Sequence, residues 1–350
     1  MQRLITIAAV AVSTALAGPA QAQVYPERIP SLAREKAPRT RALWDQRNAE
    51  REEQTDRVSR TIRIGANGQI DLGNIAGDIV ITRSSGPDAT IEVVKTARGR
   101  TIDDAREALQ LVQAEIVERG GRVEVRAQYP DDREMRARNR RNINVSVSYN
   151  VTAPPGTRIS ANSISGNIKV QDIQGDLTLE SISGTIQITR GNRVASAKSI
   201  SGNVEIVDTQ ADGGLAASTV SGTVAVRKVK ARSLEVGSVS GPVLIDDVTC
   251  DRLNGHTVSG DLRFQGALSR GSRYELRSHS GEVRLALSGE TGFELTANTF
   301  SGSVSAPDFR ITVQGSMGGG RQRGLRGVFG DGSAVLDLTT FSGSIAIVKR

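Results

Sequence analysis

Residues 163–207 read SISGNIKVQDIQGDLTLESISGTIQITRGNRVASAKSISGNVEIV, three passes of one unit. The unit returns downstream as TVSGTVAV, SVSGPVLI, TVSGDLRF, SHSGEVRL, TFSGSVSA and TFSGSIAI. Its glycines are Gly166, Gly184, Gly202, Gly222, Gly241, Gly260, Gly281, Gly302 and Gly343, with successive spacings of 18, 18, 20, 19, 19, 21, 21 and 41 residues. Nine copies at this period indicate a repeat architecture. The final gap spans about two periods, and reads as one coil that lost its motif to the insertion SMGGGRQRGLRGVFGDG.

With the glycine as position 0, apolar residues fall at −2, +2 and +4, as in Ile164, Ile168 and Val170. Alternate residues of a strand share a face, so these three and the glycine are expected to point inward. A second short strand precedes each unit (DLTLE, RSLEV, RYELR, GFELT). One such period cannot bury its apolar side, whereas a stack shares a core and pairs each strand with its neighbours. The chain is therefore expected to be all-β, a β-solenoid of roughly 20-residue coils. An inward glycine would let the chain bend or approach the opposite wall. By the same parity, Ser or Thr at −3 (Ser163, Ser181, Ser199, Thr219) and Ser at −1 (Ser165, Ser183, Ser201, Ser221) face outward in two columns. Their preferred reading is a hydroxyl ladder bonded along the stack and to the turn backbone, and the other is a flat recognition face. A bulge at the glycine would reverse the parity and turn the serines inward. On the outward assignment, Ile200→Asp should unfold several coils and Ser201→Ala should be mild.

Upstream, residues 1–22 carry a short basic start, the apolar run LITIAAVAVSTALA and the cleavage pattern Ala20-Gln21-Ala22. This is the expected form of a secretory signal peptide, too short to span a bilayer comfortably. Residues 23–58 mix both charge signs with few apolar residues and read as a disordered charged linker. The domain is expected over 59–350, with N-terminal strands, helix and hairpin over 59–158 and repeats over 159–350. The helix is expected over 101–119, with Thr101 as N-cap, Asp103 and Asp104 in its first turn, and Ile102, Ala105, Leu109, Val112 and Ile116 on one face. RVEVRAQY and NINVSVSYNVT then read as two strands separated by an arginine-rich loop. The helix and hairpin could cap one end. The other end finishes on FSGSIAIVKR with an open edge where copies could associate.

The pattern resembles the “putative adhesin” domain family of bacterial envelope proteins, a domain of unknown function with repeated S-x-S-G units. The resemblance runs from about Arg60 to Arg350 and takes in Gly77-Asp78, the single helix, Pro155-Gly156 and the terminal TTFSGSIAIVKR. It implies an exported β-solenoid with a binding role. The basic linker and the arginine-rich loop are not carried over.

The 350 residues hold 45 Lys+Arg against 38 Asp+Glu, for a net charge of +7. One cysteine excludes an internal disulfide, and two histidines in no metal-ligand spacing leave little for metal or His-based chemistry. No cofactor is expected. His279 takes a −2 slot and is expected to be partly buried; His256 carries no catalytic pattern. Cys250 reads as a small buried hydrophobe, with an intermolecular disulfide as the alternative. No serine sits in G-x-S-x-G, and Gly318-Gly319-Gly320 lacks the phosphate-loop lysine. Asp246, Asp247, Asp251 and Asp261 fall in adjacent coils and could supply a carboxylate pair for glycan cleavage. Arg133, Arg136, Arg138, Arg140 and Arg141 crowd one loop, and Arg321, Arg323 and Arg326 another, suited to anionic ligands. Without interleaved aromatics, no stacking platform for nucleic acid exists.

The expected function is a non-catalytic exported envelope or surface protein, an adhesin or binding scaffold, periplasmic or extracellular. Its partner would be an anionic glycan, lipid or protein. The alternatives are a polysaccharide-active enzyme on the same scaffold and a structural envelope spacer.

Overall fold

The computed structural model describes residues 52–130, 144–313 and 323–350. The leader and most of the linker lie outside them. The first strands are β1 (Glu52–Arg63), β2 (Gln69–Ala76), β3 (Ile79–Arg83) and β4 (Asp88–Gly99), followed by α1 (Ile102–Leu111), β5 (Gln113–Arg119), β6 (Arg122–Gln128) and β7 (Val145–Ala153). The repeats begin with β8 (Arg158–Ser165), β9 (Ile168–Gln171), β10 (Asp176–Ser183), β11 (Ile186–Thr189), β12 (Arg193–Ser201) and β13 (Val204–Val207). They continue with β14 (Gln210–Ser221), β15 (Val224–Arg227), β16 (Lys230–Ser240), β17 (Val243–Asp246), β18 (Thr249–Ser259), β19 (Leu262–Ala267), β20 (Arg273–Ser280) and β21 (Val283–Ser288). Last come β22 (Phe293–Ser301), β23 (Val304–Ser305), β24 (Thr312–Val313), β25 (Gly324–Phe329), β26 (Ala334–Ser342) and β27 (Ile345–Lys349).

Each coil contributes a long strand to one 14-stranded sheet and a short strand to a facing 13-stranded sheet, joined at the S-x-S-G corner. The S-x-S-G coils pair parallel with one another, as in Ile186 against Ile168 and Val204, with register shifts in the long sheet at Leu177/Thr178 and Ala211/Gly214. The all-β solenoid is what the repeat predicted. Its core is a continuous aliphatic column from both walls: Leu177 and Leu179 of β10 face Ile186 and Ile188 of β11, all fully buried.

The corner is where the parity reading fails. The −3 residues Ser163, Ser181, Ser199, Thr219, Ser238 and Thr257 are buried, while the −2 residues Ile164, Ile182, Ile200, Val220, Val239 and Val258 are about half exposed, at 46–51%. The strand runs as one pleat through −7, −5 and −3, then bends at −1 and 0, so the inward set resumes at +2. The step from the last inward position to the next is five, which is odd, and counting back through the glycine crosses a corner rather than a pleat. The −1 serines stay exposed.

From Ser199 onward the buried hydroxyls donate to the glycine carbonyl one coil back: Ser199 to Gly184 at 3.0 Å, Thr219 to Gly202 at 2.8 Å and Ser238 to Gly222 at 3.1 Å, whereas Ser163 and Ser181 Oγ are buried without a partner. In the first coil Asn74 takes the −3 slot and reaches both the Gly77 carbonyl at 2.7 Å and the Val147 carbonyl of β7 at 2.8 Å. The hydroxyl ladder exists, but inside the wall. Thr219→Val keeps the volume and removes the donor, so a loss of about 1–2 kcal/mol is expected. Urea denaturation followed by circular dichroism measures it, and an unchanged midpoint would show the hydroxyl to be idle.

A second corner repeats a left-handed residue at +6: Asp172, Arg190, Asp208, Lys228 and Asp247, with φ between 51° and 59°. Their charges alternate along the stack. Arg190 meets Asp172 through two bonds of 2.6 and 2.8 Å, and this holds the Asp172 carboxyl below its ordinary value. Alternation turns a column of like positions, which would repel if one sign repeated, into cross-strand attraction.

Three N-terminal readings need correction. β1 starts at Glu52, so residues 52–58 belong to the fold rather than the linker; it pairs antiparallel with β4, where Lys95 meets Asp56 at 2.7 Å and Arg98 meets Glu53 at 2.9 Å. An edge strand with two wet faces tolerates the charge mixture that had suggested disorder. α1 has the expected cap, with Thr101 Oγ1 accepting from the Asp104 amide at 3.1 Å, but it ends at Leu111. Residues 113–119 form β5, which makes a hairpin with β6 through Gly120-Gly121, whose φ values are 54° and 80°. Val112 and Ile116 satisfy both helical and strand spacing, and the twin-glycine turn decides for the hairpin. β6 and β7 do not pair; they lie in opposite sheets.

The C-terminal end also differs. In the long sheet the order runs β20-β26-β22-β25-β24, and in the short sheet β21-β27-β23. The terminal coil β26–β27 is therefore inserted between two earlier coils, flanked on both sides, and is not an open edge. The described residues of the 41-residue gap form no additional S-x-S-G coil. They form the antiparallel β24–β25 cap on β22 and the return to β26.

Candidate functional face: an exposed apolar ladder

The −2 side chains form a single file on the outer face of the long sheet. Following the strand order it reads Ile75, Ile164, Ile182, Ile200, Val220, Val239, Val258, His279, Phe341 and Phe300. Every apolar member is 39–65% exposed. His279 belongs to this file and is exposed, not partly buried as its slot had suggested; its ring stacks on Phe341 at 5.0 Å, and Phe341 stacks on Phe300 at 4.8 Å, with planes within 5°. Scattered single apolar residues on a surface need no explanation, but a file of nine, interrupted only at His279, does.

Over its first six rungs the file is the floor of a groove of about 930 Å3. β6 pairs with β2 only from Gln69 to Gly73 and then departs, so Arg126 and Ala127 stand up as a wall beside Asn74 and Ile75. At the far end His256 lies over Gly237, where a Cβ would overlap the imidazole. The rim carries Asp71, Arg122, Arg126, Glu180, Lys198 and His256. Arg122 Nε meets Asp71 at 2.6 Å, and Arg126 pairs with Glu124. The arrangement offers a long apolar contact with polar rims.

Of the residues the sequence singled out, the arginines Arg133, Arg136, Arg138, Arg140 and Arg141 lie outside the described residues, as do Arg321 and Gly318-Gly319-Gly320. The repeat glycines form a column in which each would-be Cβ overlaps the carbonyl of the glycine one coil before it. Of the aspartates, Asp246 and Asp247 meet at one arginine, and Asp261 is engaged elsewhere. Asp246 and Asp247 lie 4.0 and 3.5 Å from the Arg350 guanidinium, while Asp261 bonds Arg263 and the Glu282 amide at 3.2 and 3.1 Å. Among the described residues no three potential metal ligands cluster.

Cys250 is 2% exposed, and burial pushes its thiol up to about 12, which fits the buried-hydrophobe reading. Thiol reagent at pH 8 should therefore leave the native protein unlabelled and label it once in denaturant; rapid native labelling would contradict this placement. The neutral thiol is favoured in the fold, so its contribution is complete below the unfolded value and is lost as pH rises from 9.0 towards about 12.

The file was missed because the pleat was counted from the wrong side. Leu177, Leu179, Leu215, Ala217, Leu234 and Val236 at −7 and −5 set the inward phase of the long strand, and −3 follows in that phase while −2 does not.

The sequence profile of the Toastrack family, DUF4097, matches residues 69–348. The chain belongs to that family. Toastrack is a domain of unknown function, and the S-x-S-G corners described above fall within the matched residues. Solved structures are similar over most of the chain. A “putative adhesin” from Parabacteroides distasonis is 11% identical, covering 84% of this chain and 97% of its own, with a TM-score of 0.42. A “putative adhesin” from Bacteroides fragilis is 12% identical over the same shares, with a TM-score of 0.41. A “putative lipid binding protein” from Parabacteroides distasonis is 14% identical over 84% of this chain and 97% of its own, with a TM-score of 0.39. No curated protein matches. Among the described residues of this Toastrack chain, no helix is long and apolar enough to cross a membrane.

Proposed function

We propose that this Toastrack chain is an exported, non-catalytic envelope or surface protein that binds through its exposed apolar ladder, as an adhesin or binding scaffold. The ladder carries the reading: nine Ile, Val and Phe side chains held in line at 39–65% exposure are a surface that water disfavours and a partner would cover. The leader pattern of residues 1–22 supports export, to the periplasm or beyond. The arginine-rich segments, Arg133 to Arg141 among them, supply an electrostatic component for an anionic glycan, lipid or protein.

Co-sedimentation of the mature protein with outer membranes, peptidoglycan and whole cells, at low and high salt, tests this. Salt-resistant binding lost in Ile200→Asp is the expected result, because apolar contact is not screened. Binding that vanishes in salt and ignores Ile200→Asp would move the site to the arginines. No binding to any of the three would overturn the reading.

A further inference from the structure

The groove at the start of the ladder has a shape that selects its occupant. Its floor is six rungs, Ile75, Ile164, Ile182, Ile200, Val220 and Val239. Adjacent strands lie about 4.8 Å apart, so the floor runs roughly 24 Å in a straight line. Each coil lends it one apolar side chain at −2 beside a −4 neighbour (Asn162, Glu180, Lys198, Ser218 or Gly237), so its apolar strip is one side chain wide, and it is concave, because the departing end of β6 raises a wall beside Ile75. A second copy of the same concave face cannot fill it, and a flat membrane surface cannot enter it. A thin, flexible, unbranched apolar chain can.

The ends of the groove differ. At the β6 end stand Arg122 and Arg126, with side chains 57% and 70% exposed. Each meets its own carboxylate through Nε, and a guanidinium carries five donors in a fork suited to a planar acid group. At the other end His256 closes the floor above Gly237. Arg122 pairs with Asp71 and Arg126 with Glu124, while Lys198 and Glu180 add one charge of each sign, so the cluster is balanced and its capacity for an acid group lies in the guanidinium donors that the two Nε contacts leave over.

We infer that the groove binds a single long-chain acyl amphiphile, its hydrocarbon laid along the six rungs and its acidic head at Arg122 and Arg126. A bilayer core is about 30 Å across two opposed chains, so one acyl chain needs roughly 15 Å and leaves rungs for the head group. A volume of about 930 Å3 accommodates such a chain with its head. Each further buried methylene strengthens binding about fourfold, which makes chain length the main determinant of affinity. The ligand class rests on the binding reading above, and narrows it.

Equilibrium dialysis of the full mature chain against radiolabelled palmitate, below its micellar range, is the test. One palmitate per chain is expected, with octanoate bound at least a hundredfold more weakly. Ile182→Asp should abolish binding. Arg126→Ala should weaken palmitate about tenfold and leave uncharged hexadecanol unchanged. Lys169→Asp, on the opposite sheet, should change nothing. Failure of palmitate and hexadecanol to bind would overturn the inference, as would equal affinity for octanoate and palmitate. A concentration-dependent dimer that Ile182→Asp dissociates would assign the groove to a second copy. Envelope co-sedimentation that survives while palmitate fails would leave the binding reading standing without this ligand.

Discussion

Gly202→Ala is expected to destabilise the protein by at least about 3 kcal/mol, or to prevent folding, although it adds one methyl group to a half-buried corner. A Cβ on Gly202 would overlap the Gly184 carbonyl oxygen and stand 2.6 Å from its carbon. It would also sit 3.0 Å from Ser199 Oγ, the hydroxyl that donates to that same carbonyl. Both neighbours are fixed, one by the backbone and one by its hydrogen bond, so the only relief is to separate the coils. Separation breaks the parallel pairing of β11 with β13, and the core between them opens. Because solenoid stability is carried by interfaces between neighbours, one bad interface divides the stack. Urea denaturation should show a lower midpoint or two transitions. Gly213→Ala is the control: no atom lies within 4 Å of its would-be Cβ, and its midpoint should stay near wild type. If both alanines behave alike, the glycine column is not what spaces the coils.

The glycine column also explains what could be read without a structure. A close-approach glycine at every coil, with apolar partners at +2 and +4, repeats regardless of where the coil sits, so the stack was legible from one period. What failed was anything that depended on the path between periods. Counting parity from Ile168 back to Ile164 assumes a straight strand, but the chain turns at Ser165 and Gly166 between them. The same locality hid the order of the last coils. TFSGSIAI carries the same corner and the same inward residues as its neighbours, so it fits between β20–β21 and β22–β23 as well as it would fit at the end. The site was illegible for the first of these reasons. Ile, Val and Phe at −2 look like core to any scale of residue type, and only the phase set by Leu177 and Leu179 shows that they point into solvent.

That phase makes a sharp prediction with two identical substitutions six residues apart. Ile206→Asp should unfold the protein, at a cost of roughly 4–5 kcal/mol or more, whereas Ile200→Asp should cost less than about 1 kcal/mol. Ile206 is fully buried in β13, between Ile188 and Val226, and a carboxylate there has neither water nor a partner. Ile200 is 51% exposed on the outer face of β12, where a carboxylate keeps its hydration. Its flanking rungs Ile182 and Val220 lose only side-chain contact along the ladder. A simple alternation counted through the glycine gives both residues the same inward orientation and hence the same fate. Thermal melts of the two variants separate the schemes directly. Equal collapse would restore unbroken alternation and remove the ladder; a folded Ile200→Asp that has lost envelope binding would separate stability from function on one strand. The expectation is the second, because the corner at Ser201 and Gly202 lets one repeat place one isoleucine in the core and the other on the binding face.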